Sequence, residues 1–561
     1  MDKKSYLLFA IFLLSAHPLL ASPPSVPSAG VVERQLEKEY EGKPLEPEKE
    51  VPAIQIDIPK ERFDMPRGRA IHISKIIIQG NDSVSTEEIL SWIQKELDHD
   101  LTIVDIYQLC QVIDQNYAKK GFFLARAYPP EQTIADETLT IEIIEGKLGN
   151  IKVAGNKYYP DSFILSYFSS LKNKPLEYNQ FLRQLMLLNE NSDLLAGALF
   201  EKGEKFGTAD VILRIDDKRP IHLYLNGNNY GKDLTTNSRL GGRFDWGSVA
   251  TYGDTFSVAE VIGFPVNALY FTDVKYTVPV NRCGTYLEMS YLYSRFKIEE
   301  LKQLKLHGSS DITTLKATHA LTRTRSLSVN LFGYFDYKQI GNYELGHRVS
   351  FDKLRMITIG SLIDHYHPGQ GRDYLNLSFA AGIPNFLGGL KAVDHHSSRK
   401  GGGGRFFMLN ADYDRLQPLP KDIYFYFHGS GQWSPSKLTL PEQIYIGGDD
   451  TVRGYPLAVA LGDSGYYFNF EFRLPPPLIA EKKVFMAKKK WKEVIQFDAF
   501  LDHGGVFLRS VRNTFLWGTG VGVRVNLPWT LTFSIDVGFP LNHHDLTKGA
   551  FTYIKLTGQP F

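Results

Sequence analysis

From Ile221 to the end of the chain, apolar and polar residues alternate with a period of two, the repeat of a β-strand whose faces meet different surroundings. Sixteen runs of this kind can be marked, from Ile221–Tyr230 to Ala550–Leu556, and they include Ile312–Ala320, Leu327–Lys338 and Leu354–Asp364. The clearest puts Tyr466, Phe468, Phe470, Phe472 and Leu474 on one face and Asn469, Glu471 and Arg473 on the other. Another sets Ile495, Phe497, Ala499 and Leu501 against Asp498, Phe500 and Asp502. Aromatic bulk opposite charge separates an apolar medium from a wet one. A soluble sandwich also alternates, but it packs both sheets into one apolar core and has no need of so many inward charges. In lipid, strands satisfy their backbone groups only by closing on themselves. Residues 218–561 therefore predict a membrane β-barrel of about 16 antiparallel strands, the even number that bacterial barrels show.

The preceding residues carry a helical period. Lys75–Gln79 reads as a strand stopped by Gly80-Asn81, and Ser85-Thr86-Glu87-Glu88 as a capping box opening a helix. A second helix starts at Thr102–Asp105, with Ile103, Ile106, Leu109, Val112, Ile113 and Tyr117 on one face, and Gly121 stops it. Strands follow at Phe123–Tyr128 and Leu139–Ile144. The order then repeats: Ile151–Val153 and Gly155-Asn156 restate the opening, helices fit Asp161–Leu171 and Asn179–Asn189, and strands fit Gly197–Glu201 and Ala209–Ile215. Two α/β modules in series are expected, residues 71–146 and 147–217.

Composition changes the picture at the front of the chain. Lys3 and Lys4 before an apolar run ending at Ala21 predict an export signal over residues 1–21. Residues 22–70 are rich in Pro, Glu and Lys and read as linker, with one short helical stretch at Val31–Tyr40. A net charge of +1 gives no basic surface for nucleic acid, and an aromatic content of 13% suits the girdles of a membrane barrel. The two cysteines, Cys110 and Cys283, fall in different domains and build no disulfide framework.

Between the strands lies an irregular glycine-rich segment. Val452-Arg453-Gly454-Tyr455, flanked by Gly447-Gly448 and Gly462-Asp463-Ser464-Gly465, resembles the V-R-G-Y loop of outer-membrane translocation and assembly barrels, and most of all that of the TpsB transporters of two-partner secretion. Phe500-Leu501-Asp502-His503-Gly504 is similar to the F-x-D-x-G strand motif of the same barrels. The resemblance implies that the loop folds into the lumen and that Arg453 pairs with Asp502 on the wall. A guanidinium and a carboxylate confined together form a bidentate, charge-assisted link. Both α/β modules resemble POTRA domains, through Gly121-Phe122 and Pro130-Glu131-Gln132 in the first and Lys202-Gly203 and Gly207-Thr208-Ala209-Asp210 in the second. Ala135-Asp136-Glu137 departs from the pattern where a turn glycine is usual, and predicts a slightly longer turn.

What the resemblance implies is a translocator in the cell outer membrane with its modules in the periplasm. They would bind an unfolded exoprotein of the TpsA type on an exposed sheet edge, and the barrel would export it. The Val31–Tyr40 helix would plug the pore. Implied partners are that exoprotein, outer-membrane lipid and, during biogenesis, the barrel assembly machinery, with the protein itself a monomer. The alternative function is an assembly factor that inserts other barrels, although such factors usually carry more modules.

Nothing points to catalysis or a cofactor. Gly401–Gly404 lacks the Lys-Ser or Lys-Thr of a phosphate loop, no Gly-x-Ser-x-Gly occurs, and the pairs His365/His367, His395/His396 and His543/His544 lack a third and fourth metal ligand at suitable spacing. The lysines between Ile479 and Val494 are expected on a periplasmic turn, Lys391–Arg405 as a mobile outer loop, and Phe561 as the terminal aromatic read by the assembly machinery.

Overall fold

The structure, a computed structural model, describes residues 29–41, 53–57, 68–96, 99–231, 235–298, 302–484, 489–509, 513–527, 530–542 and 549–559. The expected signal segment 1–21, the pair His543/His544 and Phe561 lie outside the described residues. The chain divides into two compact units, one running from residue 50 to 219 with 322–324, the other formed by the rest.

In the first unit, β1 (Ile54–Asp57), β2 (Ile71–Ile73), β3 (Lys75–Gln79), β4 (His99–Leu101), β5 (Arg126–Tyr128), β6 (Thr138–Ile144), β7 (Lys147–Ala154), β8 (Leu194–Lys202) and β9 (Thr208–Asp217) form two main sheets. The first module has the order β3-β6-β5, with β3 parallel to β6 and β5 antiparallel. The helices Thr86–Ile93 and Ile103–Lys119 cover it through Ile89, Ile93, Ile106, Leu109, Ile113 and Tyr117. At Ser85, where the sequence signalled a capping box, only the half in which the side chain accepts from the Glu88 N–H is made; the full reciprocal cap forms instead on the longer helix, between Thr102 and Asp105.

The repeated Ile-x-x-x-Gly-Asn has one physical cause in both modules. Gly80 and Gly155 sit at φ +77° and +100°, where a Cβ would lie 2.3 Å from the carbonyl oxygen of Ile143 or Ile215, so the strand can end there only on glycine. Asn81 and Asn156 then donate from Nδ2 to the carbonyls of Val84 and Tyr159, at 2.9 and 2.8 Å, closing the turn into the next helix. A carboxylate from the end of the partner strand holds the same turn: Glu145 accepts from the Ser83 N–H, and Asp217 from those of Lys157, Tyr158 and Tyr159. Burial acts to raise the Asp217 pKa, but these N–H donors outweigh it and hold the carboxyl below its ordinary range.

The second module departs from the reading of residues 22–70 as linker. Its sheet runs β1-β8-β9-β7, because Ile54–Asp57 adds itself parallel to β8, Ile54 opposite Ala198 and Asp57 opposite Glu201. Local alternation over four residues is too short to announce such a strand; the unpaired edge of β8 supplies the reason for it. At Ala135-Asp136-Glu137 the expected longer turn does not form. Asp136 and Glu137 both take positive φ, 49° and 55°, and the Thr138 N–H closes on the Ala135 carbonyl at 3.1 Å.

The second unit is a closed antiparallel barrel of β10 (Ile221–Asn228), β11 (Ser238–Gly247), β12 (Thr255–Phe264), β13 (Leu269–Pro279), β14 (Thr285–Lys297), β15 (His307–Arg323), β16 (Leu327–Glu344), β17 (His347–Tyr366), β18 (Arg372–Gly382), β19 (Phe407–Leu419) and β20 (Ile423–Trp433). The short pair β21 (Ile444–Ile446) and β22 (Ala460–Gly462) comes next in the chain and lies apart from this wall. The wall resumes with β23 (Ser464–Leu474), β24 (Ile495–Phe507), β25 (Thr514–Asn526), β26 (Thr532–Pro540) and β27 (Phe551–Gly558). All sixteen expected strands are present, and β27 closes on β10. β15, β16 and β17 outrun the apolar stretches read from sequence, reaching 17, 18 and 20 residues, since their polar ends continue the backbone ladder where no lipid demands alternation. In β23, Phe468, Phe470, Phe472 and Leu474 face outward while Asn469 and Glu471 are buried, as the alternation required.

The segment 391–405, expected as a mobile outer loop, is packed instead. Leu390 and Phe406 join Leu354, Met356, Met408 and Leu438 in one apolar cluster, and Arg399 pairs with the buried Asp463. On the turn after β23, Lys490 and Lys492 are paired with Glu481, and Lys492 also with Asp422.

Candidate functional site

The segment between β20 and β23 enters the lumen as a hairpin, with β21 and β22 at its base paired Ile444 to Gly462 and Ile446 to Ala460. Its tip lies against β23 to β26. Antiparallel register sets the wall in rows: Asn469, Asp502 and Gly518 in one, Glu471, Phe500, Gly520 and Gly538 in the next, Arg473, Asp498, Gly522 and Asp536 in a third. Each row alternates with outward apolar residues, so β-sheet period alone aims all of these side chains into the lumen.

Arg453 and Asp502, 49 residues apart, meet there. Nε donates to Asp502 Oδ2 at 2.8 Å and Nη2 to Oδ1 at 3.0 Å, a bidentate pair, and the Arg453 backbone N–H adds a third bond to Oδ2 at 3.0 Å. Nη1 reaches Glu471 Oε2 at 3.2 Å, and the guanidinium carbon lies 3.4 Å from the centroid of the Phe500 ring. Asp502 is 0% exposed and Arg453 5%, so the pair has left water entirely and is held by geometry rather than screened charge. Glu471 also accepts from Arg473 and Arg524, each at 2.8 Å.

The other motif residues fix the tip. Val452 packs with Ile444, Ile446, Tyr455, Tyr467, Val506 and Leu516. Gly454 has φ +93° and passes so near β26 that a Cβ would lie 2.7 Å from the Phe539 carbonyl carbon. The Tyr455 hydroxyl lies 2.9 Å from the Trp517 carbonyl and 2.6 Å from Asn542 Oδ1, while the Tyr553 hydroxyl donates to the Tyr455 carbonyl at 3.1 Å. Gly504 leaves room for Val452. Thus all seven residues singled out in the two motifs converge on one patch of wall.

Sequence alternation places Glu471, Arg473 and Asp536 on the inner face without assigning them to the site; Asp536 lies 3.9 Å from Arg453 Nη1. It also left unexplained the inward glycines of β25 and β26. A Cβ on Gly518 would lie 2.0 Å from the Arg453 carbonyl oxygen, and one on Gly538 2.6 Å from the Gly454 nitrogen, so these glycines are the floor on which the hairpin lies. Inward parity combined with absence of a side chain was the available signal.

The helix Ala29–Glu41 contains the expected Val31–Tyr40 and also lies in the lumen. Ala29, Val32 and Leu36 pack against Val261, Phe271, Phe296, Ile312 and Ile340 of the wall. Gln35 accepts from Arg239 at 2.9 Å and donates to the Tyr230 carbonyl at 2.9 Å. Val31 packs instead on Tyr445, Leu457 and Ala458 of the hairpin, and Arg34 donates to the Gln443 carbonyl. Wall, helix and hairpin therefore share one buried interface.

The comparisons with known proteins agree with this architecture. The family described as haemolysin secretion/activation protein ShlB/FhaC/HecB matches residues 207–525, and the ShlB-type POTRA domain matches residues 71–146. The heme/hemopexin transporter protein HuxB of Haemophilus influenzae strain 86-028NP is 21% identical over 84% of this chain and 83% of its own. The outer membrane transporter CdiB of Escherichia coli is 22% identical over 85% of this chain and 80% of its own. The solved structure of CdiB from Escherichia coli superposes with a TM-score of 0.78 at 20% identity, covering 96% of this chain and 100% of that one. With a closed sixteen-stranded barrel in the outer membrane and POTRA modules in the periplasm, the chain belongs to the ShlB/FhaC/HecB family, the outer-membrane transporters of two-partner secretion.

Proposed function

We propose that the POTRA modules capture an unfolded exoprotein by adding one of its segments to an open sheet edge, and that the barrel passes it outward once the Arg453 hairpin and the Ala29–Glu41 helix yield the lumen. The observation that carries this reading is the buried Arg453–Asp502 contact, which ties a loop, rather than a strand, to the wall. A buried ion pair is weak evidence for stability but a good device for selecting one conformation. Because Val31 packs on the hairpin, departure of either element bares apolar surface on the other, and the two movements favour one another.

The edge of β8 is occupied by the chain's own β1, so an incoming segment uses β7 or the first module, or it displaces β1. No nucleotide or ion gradient is at hand in that compartment, and folding of the exported chain outside gives the process direction. In this reading the protein catalyses no reaction, works as a monomer, and reaches the membrane through the barrel assembly machinery. The test is export of a co-expressed exoprotein encoded beside this chain. Arg453→Ala and Asp502→Ala should each stop its appearance in the medium while the barrel remains inserted, and deletion of residues 71–215 should abolish its capture. Export at full rate in both point variants would overturn the assignment of these two residues.

A further inference from the structure

We propose that the outer wall carries a transition-metal site at the periplasmic end of β17 and β18, formed by His365, His367 and Asp373, which takes a divalent ion of the zinc class. The spacing His-x-His leaves the pair without a third ligand in the sequence; sheet register supplies it. His365 lies directly opposite Asp373 in the β17–β18 ladder. His365 and His367 are two residues apart at the end of a strand, so both rings leave the same face. That face is the outward one, since Ile357 and Ile359, of the same parity, are 48% and 58% exposed. Counting strands from β10, the turn after β17 lies on the periplasmic side, below the apolar belt, where an ion can enter from water.

Three observations converge on a ligand. One donor atom from each of the three side chains lies within 4.8 Å of the others. The imidazoles are in edge-to-face contact, with centroids 4.2 Å apart and planes at 68°, and the nitrogens of His365 meet no hydrogen-bonding partner among the described residues. The Asp373 carboxylate is already oriented: Oδ1 accepts from Arg415 Nη1 at 2.7 Å and from the Tyr413 hydroxyl at 2.8 Å, while Oδ2 faces His367 Nε2. One carboxylate oxygen turned to an ion, with the other fixed by donors, is how metal-ligating carboxylates are commonly held.

Two neutral imidazoles and one carboxylate, with a fourth position open to water, are the donor set of tetrahedral zinc; copper and nickel suit the same nitrogens, whereas magnesium and calcium want oxygen. Ligation at about 2.0–2.1 Å replaces the His367–Asp373 hydrogen bond and needs its two atoms to part to ~3.3 Å, the edge of such a tetrahedron. The bound ion would bridge β17 and β18 at their turn. The competing account is that His367 and Asp373 merely close that turn with a hydrogen bond.

The experiment uses the full chain, untagged, in detergent, dialysed against Zn²⁺ alone and then assayed for bound metal. One equivalent per chain is expected. His365→Ala, His367→Ala and Asp373→Asn should each weaken binding by at least ~10-fold, with heat-modifiable migration on gels showing that the barrel is intact. A His395→Ala/His396→Ala variant should bind as the parent does. Cobalt(II) in place of zinc should give visible absorption of a four-coordinate ion, lost in His367→Ala. No stoichiometric uptake, or uptake unchanged in the three variants, would overturn the proposal, the latter by locating the ion among the other histidines.

Discussion

Replacing Asp502 by Ala removes three bonds to Arg453, those from Nε, Nη2 and the backbone N–H. It leaves a guanidinium 5% exposed, with Glu471 at 3.2 Å, an acceptor already shared with Arg473 and Arg524, a longer approach to Asp536 at 3.9 Å and the face of the Phe500 ring. Breaking a buried pair by removing one partner typically costs about 3–5 kcal/mol. Since every ~1.4 kcal/mol is a tenfold change in an equilibrium, the fraction of molecules with the hairpin off the wall should rise by roughly 100-fold to a few thousandfold. Thr451 offers a reporter: it is fully buried beside Arg453, and its hydroxyl has no hydrogen-bonding partner among the described residues, so Thr451→Cys forfeits nothing polar. In a background with Cys110 and Cys283 changed to Ser, maleimide labelling of that thiol reads opening directly, provided closing is faster than reaction. Asp502→Ala and Arg453→Ala should each accelerate labelling within that range. The double variant should fall well short of the product of the two effects, because it strands no charge. Acceleration below about tenfold in both single variants, or strict multiplicativity in the double, would refute the idea that this pair holds the hairpin.

Three further outcomes are expected of this arrangement. Gly518→Ala places a methyl 2.0 Å from the Arg453 carbonyl oxygen, so it should expose the Thr451→Cys thiol as strongly as loss of Asp502 while leaving the barrel inserted; labelling at the parent rate would show that the floor yields. Gln55→Pro, at the centre of β1, removes a backbone donor from the added strand and should free the edge of β8, seen as faster proteolysis of the linker and tighter binding of an unfolded exoprotein segment. Burial raises the Asp114 carboxyl in the first module from 3.8 to about 6, with the Ala127 N–H and Arg126 acting to lower it. The folded state therefore holds this proton more tightly than the unfolded chain, and the module gains stability as pH falls from 7 towards 4. About two pH units at ~1.4 kcal/mol each, halved for partial exposure, give on the order of 1–2 kcal/mol, and Asp114→Asn should flatten that dependence in hydrogen exchange.

Alternation was sufficient for the barrel, because each strand touches lipid on one side and water on the other, and that contrast is written residue by residue. The alternation alone separates Phe497, Ala499 and Leu501 from Asp498, Phe500 and Asp502. The modules were legible for a related reason: Gly80-Asn81 and Gly155-Asn156 solve a local steric problem, and local problems leave local signatures. The polar extensions of β16 and β17 on either side of Leu345 were not, since beyond the membrane no period is imposed.

The site divides along the same line. Sequence by itself determined which side chains enter the lumen, since strand period fixes a face, and the two motifs named Arg453 and Asp502 as partners. Only the tertiary structure decided which of those inward residues meet. Rows such as Glu471, Phe500, Gly520 and Gly538, the glycine floor under Arg453, the placement of β1 on β8 and of Asp373 beside His365 all depend on register between paired strands. Register is a property of paired backbones, and a single strand's residues hold no record of the neighbour it will find.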